Sequence, residues 1–150
     1  MDDALPSQFK EFLRLLRAEA VEYLLVGGWA VIYHGYARTT KDLDIWIALD
    51  QENAERVRRV FRKYGFDAAP PAQVFLEDDR ILRIGTDPNL IEIMTSASGV
   101  HFDECYQQRI EAKLDGESVN LISLRHLRIN KRAAGRLKDL ADLEELPETE

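Results

Sequence analysis

A single cysteine, Cys105, stands in a chain of 150 residues, so neither an internal disulfide nor a cysteine-built metal site can form. Long apolar runs are missing too, and no stretch approaches the ~20 residues that a membrane span requires. The opening residues 1–6 have neither the basic start nor the apolar stretch of a secretory signal, so the expected location is cytoplasmic. Excess positive charge is also lacking. Twenty Lys and Arg against 27 Asp and Glu leave a net charge of −7, which weighs against a general nucleic-acid binder with a broad basic surface. There is no internal repeat and no low-complexity linker. With 45% hydrophobic and 31% charged residues, the composition is that of one ordinary globular domain over residues 1–150 with a real core.

What is present is a regular succession of helical and extended patterns. Pro6 or Ser7 opens a first helix, with Phe9, Phe12, Leu13 and Leu16 on one face. Residues 22–26 read as a buried strand, 29–36 as a short helix and 42–47 as a half-buried strand of alternating character. Asn53 is the expected cap of a helix with the stripe Val57, Val60, Phe61 and Tyr64, closed by Gly65. After Pro70-Pro71, residues 74–76, 81–84 and 90–94 each read as strands. Asp115-Gly116 predicts a hairpin between 111–114 and 118–122. Ser123 caps a helix running towards Arg132, and a last helix spans 138–146. This order predicts an α+β (α/β-like) domain: a mixed β-sheet flanked by helices, with C-terminal helices.

Two features carry chemistry. Val26-Gly27-Gly28 ends the first strand with a turn able to bring backbone N–H groups close to a phosphate. Thirteen residues after Gly28 comes Asp42-Leu43-Asp44-Ile45, whose period of two projects both carboxylates from one face. Such a pair can share one or two divalent cations, and Mg2+ (or Mn2+) suits carboxylates combined with substrate phosphates. Arg38, Thr40 and Lys41 lead into Asp42, where they either contact phosphates or balance the local negative charge. Trp29 reads as core, and His34 as a packing or capping residue.

A glycine turn followed at this distance by an apolar-flanked Asp-x-Asp resembles the signature of the DNA polymerase β-like nucleotidyltransferase superfamily. The resemblance implies the nucleotidyltransferase fold and a third carboxylate on a nearby strand. Glu92 within Leu90-Ile-Glu-Ile-Met94 occupies that position, with Glu in place of the usual Asp. It implies Asp42, Asp44 and Glu92 as catalytic metal ligands, Glu92 also being a candidate to orient the acceptor or act as general base.

The basic residues cluster late. Arg125, Arg128, Lys131, Arg132, Arg136 and Lys138 follow one another with no acid between them. The run reads either as a solvated helix face or as a positive wall for the β- and γ-phosphates. Residues 121–143 also resemble the C-terminal motif of small bacterial stand-alone nucleotidyltransferases. Lys131, Arg136, Lys138, Asp139 and Asp142 stand at its marked positions. Gly27, Gly28, Arg38, Thr40, Lys131, Arg136 and Lys138 are thereby the expected nucleotide-binding residues.

The resemblance implies metal-dependent transfer of a nucleoside monophosphate from an NTP, most simply ATP. The implied acceptors are a protein, including a partner toxin or antitoxin in a toxin–antitoxin or phage-defence system, or tRNA, with an aminoglycoside ranked below both. The alternative is a catalytically degenerate module that binds nucleotide or a partner without turnover.

Overall fold

In the computed structural model, residues 4–65, 69–86 and 88–148 are described. Helix α1, Ser7–Ala18, buries Phe9, Phe12, Leu13 and Leu16, the stripe expected from sequence. It leads into β1, Tyr23–Val26, from which α2, Gly27–Tyr33, starts directly at the glycines. Strand β2, Leu43–Ile47, precedes α3, Gln51–Tyr64, which closes on Gly65 in the left-handed conformation. Strands β3, Ile81–Ile84, and β4, Ile91–Met94, are followed by α4, Phe102–Gln107. The hairpin β5, Ile110–Leu114, and β6, Glu117–Leu121, turns at Asp115 and Gly116, both at positive φ (48° and 81°) as a tight two-residue turn requires. Helices α5, Leu124–Ala134, and α6, Leu137–Glu145, follow.

The strands form one mixed six-stranded sheet in the order β3-β4-β2-β1-β6-β5. Antiparallel β1 and β2 lie at its centre, with β6 parallel to β1 and β4 parallel to β2. Register aligns Val26, Asp44, Glu92 and Arg83 in one row across β1, β2, β4 and β3. Two positions along, Leu24, Trp46, Met94 and Ile81 form the next row on the same face. Trp46 meets Phe102 of α4 edge-on at 5.2 Å, so α4 lies on this face. On the opposite layer, Phe12 meets Phe61 and Tyr64 edge-on, and Phe61 contacts Phe75, joining α1, α3 and the segment Ala72–Leu76.

Three local expectations are corrected. Residues 74–76 are not a strand but part of a 3₁₀ turn, Ala72–Leu76, because Phe75 turns inward onto Phe61 instead of joining a ladder. Helix α4 was not anticipated. Asn53 is not the cap of α3: Asp50 is, accepting from the Asn53 backbone N–H at 2.8 Å. The buried Asn53 side chain instead clamps three backbone groups, accepting from Glu22 N–H and donating to the carbonyls of Glu22 and Ala48. Asn53→Ala would strip those groups of partners and is expected to cost about 2–3 kcal/mol, read as a lower midpoint in urea.

Candidate active site

A cavity of 640 Å³ opens where β1 ends and β2 and β4 begin. Its floor is the row containing Asp44 and Glu92, and its walls come from the glycine turn, residues 38–42, β3, residues 96–98 and helices α5 and α6. Gly27, Gly28, Arg38, Thr40, Asp42, Asp44, Glu92, Lys131, Arg136 and Lys138 all line it. The fold thus brings together in one space ten residues spread over 112 positions of sequence. A second cleft, of 700 Å³, lies at the other end of β1 around Tyr23, Arg17 and Arg56, away from the glycine turn and the acid pair.

The glycines are demanded by contact as well as by conformation. Gly27 has φ +69°, and a Cβ there would lie 2.0 Å from Asp44 Oδ2. A Cβ on Gly28 would lie 2.2 Å from Thr40 Oγ1. The turn is therefore held between the acid pair on one side and the 38–40 segment on the other. Gly27→Ala is expected to cost about 2 kcal/mol in backbone strain. Its larger effect is to displace the Asp44 carboxylate, lowering transfer about 10²-fold in a single-turnover assay.

Asp44 sits under electrostatic stress. Its Oδ1 is shielded from solvent without a hydrogen-bond partner. Burial, then the shared hydrogen bond and charge of Glu92, then the charge of Asp42 push its pKa up to about 7, against a lowering pull from Lys138. Glu92 has its Oε2 held by Arg83 Nε at 2.7 Å across the β3–β4 pair. An all-oxygen set with an unpartnered buried carboxylate oxygen fits a hard divalent cation, whose charge would relieve the repulsion. Among the described residues no three or more His, Cys, Asp or Glu side chains form a ready-made metal cluster.

The basic residues divide into two groups. Lys131 is 5% exposed, with Nζ 3.2 Å from Asp139 Oδ1 and 3.0 Å from Asp142 Oδ2. It falls on the stripe Leu124, Leu127, Lys131 of α5, so a lysine at a core position is matched by two acids on the facing side of α6. Arg136 Nε is 2.7 Å from Asp139 Oδ2, and Arg38 Nε is 2.9 Å from Asp142 Oδ1. Burial pushes the Asp139 carboxyl up, but hydrogen bonds from Arg136 and Lys131 outweigh it and leave the group below the usual range. Lys41 and Lys138 are exposed. Arg128, a member of the late basic run, donates from Nη1 to the carbonyls of Leu143 and Pro147, closing the end of α6.

Trp29 is buried core, and His34 Nε2 lies 2.9 Å from the Ile122 carbonyl oxygen, a packing role as expected. Sequence reasoning did not assign Arg83, Asp79, Ser98 or Asn130 to the site. Arg83 carries no motif, and only the β3–β4 register puts it beside Glu92. Asn130 Nδ2 donates to Ser98 O at 2.9 Å, tying the loop after β4 to α5.

With this geometry in hand, the sequence model of the aminoglycoside-2''-adenylyltransferase family matches residues 8–146. The chain belongs to that family. It is a nucleotidyltransferase, as the glycine turn and acid pair had indicated. A nucleotidyltransferase structure from Thermotoga maritima is similar at TM-score 0.59 and 16% identity, covering 91% of this chain and 88% of that one. The antibiotic-resistance factor ANT(2'')-Ia is similar at TM-score 0.59 and 13% identity, with 92% and 80% covered. An antigenic nucleotidyltransferase-like protein from Paracoccidioides brasiliensis gives TM-score 0.53 at 17% identity, with 91% and 72% covered. At these identities the structural likenesses establish the fold. No curated protein sequence matches the chain. Among the described residues, no helix is long and apolar enough to cross a membrane.

Proposed function

We propose that the chain transfers a nucleoside monophosphate from an NTP, with ATP the simplest donor, to a hydroxyl of an acceptor bound in the same cavity. The observation that carries this reading is the convergence of Asp42, Asp44 and Glu92 on the glycine turn. In the reaction the acceptor oxygen bonds to the α-phosphorus, the bond to pyrophosphate breaks, and the acceptor proton passes to a nearby carboxylate. Glu92, aimed by Arg83, is the candidate to orient the acceptor and take that proton. Asp42 and Asp44, with Glu92, would hold Mg2+ or Mn2+, which when bound offsets charge on the phosphate oxygens. Gly27 and Gly28 allow close approach of the donor, and Thr40, Lys41 and Lys138 offer a hydroxyl and two charges to it.

For the acceptor, the rim of the cavity favours a protein hydroxyl, a partner toxin being one such protein. Ile81 lines the cavity while 53% exposed, and Leu137, between the cavity residues Arg136 and Lys138, is 87% exposed. Apolar side chains at the mouth suit a polypeptide better than RNA, for which a net charge of −7 is unfavourable. A second reading, an aminoglycoside hydroxyl, is supported by the family match and by the exposed carboxylate Asp79 in the cavity.

Incubating wild type and Asp42→Ala/Asp44→Ala with α-³²P-labelled NTPs, Mg2+ or Mn2+, and either cell lysate or an aminoglycoside panel tests both readings. Label on a protein band with wild type alone is expected. Label on an aminoglycoside instead would replace the protein reading. Metal-dependent nucleotide binding without label on anything would make the chain a non-catalytic binding module.

A further inference from the structure

Asp142 is not among the residues that line the cavity, yet it is 2% exposed and lies between two cations from distant parts of the chain. Arg38 donates from Nη2 to Oδ2 at 3.1 Å, and its Nε lies 2.9 Å from Oδ1 as a charge contact without a hydrogen bond. Nη1 donates to Thr39 O at 2.9 Å, so both terminal nitrogens of the Arg38 head are engaged. Lys131 approaches Asp142 Oδ2 from α5 at 3.0 Å and shares its charge with Asp139. Moving either cation onto a phosphate would strip a buried carboxylate of one of its two counter-charges.

We propose that Asp142 is a positioning residue that latches the 38–41 segment and helix α5 onto α6, with Arg38 and Lys131 acting through this latch instead of gripping the donor phosphates. The inference rests on reading the cavity as the donor site. Its consequence for the site runs through Gly28: a Cβ there would meet Thr40 Oγ1 at 2.2 Å and Arg38 Nη2 at 3.4 Å. The latched segment therefore lies directly on the glycine turn, and Asp42 follows two residues after Thr40. Fixing Arg38 fixes the Thr40 hydroxyl over the turn and the chain's approach to the acid pair. Lys41 and Lys138 remain for the phosphates, since neither makes an ion pair with another described residue.

The test compares Asp142→Asn, Arg38→Lys and the double variant. Lysine keeps the charge of Arg38 but cannot donate to Asp142 and the Thr39 carbonyl from one planar group. Four quantities are measured: hydrogen exchange in peptides spanning 36–43, affinity for a fluorescent ATP analogue with Mg2+, and kcat and KM for the NTP. Each single variant is expected to speed exchange in 36–43 and to weaken nucleotide affinity about tenfold, with KM rising more than kcat falls. The double variant is expected to be no worse than either single one, because both break the same latch.

Unchanged exchange in Arg38→Lys with lowered affinity, or losses that add in the double variant, would show Arg38 on the nucleotide and overturn the proposal. Should Asp142→Asn fail to fold, Arg38→Lys and Arg38→Gln, altering a partly exposed side chain, give the same comparison. A wild type that neither binds nor transfers nucleotide would refute the donor-site reading, whereas exchange in 36–43 reads the latch without any nucleotide.

Discussion

Asp44→Asn is expected to lower transfer about 10³-fold while making the metal-free protein more stable near pH 8. Under the proposed function the activity loss follows from removing one of the charges that would meet the triphosphate and its cation, an effect of the size seen when a preorganised electrostatic group is deleted. The gain in stability follows from the strain on Asp44. Its folded pKa, pushed up to about 7, lies above the ordinary aspartate value of 3.8, through burial first and then Glu92 and Asp42. Between those two values the folded state keeps a proton that the unfolded state releases. Stability therefore falls as pH rises from about 4 to about 7, and stays level above that.

The full difference corresponds to a penalty of at most about 4 kcal/mol, and the neutral amide removes the titration. Thermal unfolding in EDTA from pH 5 to pH 8 measures both effects. Wild type should lose stability across that range, and Asp44→Asn should be flatter and more stable at the upper end. Adding Mg2+ should raise the midpoint of wild type and leave the variant nearly unmoved, because a ligand of the folded state stabilises by mass action. A variant less stable than wild type at pH 8 in EDTA would refute the account of stress at Asp44. Full transfer activity in the folded variant would remove Asp44 from the proposed chemistry.

Lys131→Met is expected to be the most destabilising single change among the charged residues. Its Nζ lies within 3.2 Å of both Asp139 and Asp142, and all three residues are at most 5% exposed. Breaking a buried ion cluster by removing one partner costs about 3–5 kcal/mol, since the remaining charges stay buried. For a chain of this length that is a fall of about 10 °C in the unfolding midpoint. The depressed pKa of Asp139 adds a sign: its contribution is present at neutral pH and is lost as pH falls through the folded value. The gap between Lys131→Met and wild type should therefore narrow in acid. Undiminished stability in Lys131→Met at pH 7 would show that the cluster contributes nothing to the fold.

How far the site was legible depends on whether a residue's role is local. The glycine turn, the acid pair and Glu92 could be named as candidates because each lies at or within an apolar run, with a spacing that resembles a known signature. The same locality made the hairpin at Asp115-Gly116 and the cap at Ser123 readable, the latter's Oγ accepting from His126 N–H at 3.2 Å. Residues 74–76 misled because a short apolar run has no period of its own to separate strand from turn. Asn53 misled because a good capping residue and a buried backbone clamp have the same side chain.

The late basic run shows the limit most clearly. Six cations in a row are equivalent on paper, yet Arg128 closes the end of α6, Lys131 is buried against two aspartates, and Lys138 stays exposed within the cavity. Nothing in the spacing of Arg38 and Asp142, 104 positions apart, announces their pairing.

By itself the sequence determined most of the elements, the family signature and the candidate acids and glycines, because those depend on periodicity, turn chemistry and short-range spacing. The tertiary structure alone decided that Arg83 faces Glu92, that the 38–41 segment is tied to α6, and which cations are left exposed at the cavity. Those outcomes depend on strand register and on which buried charges meet, and both are settled only when distant segments pack together.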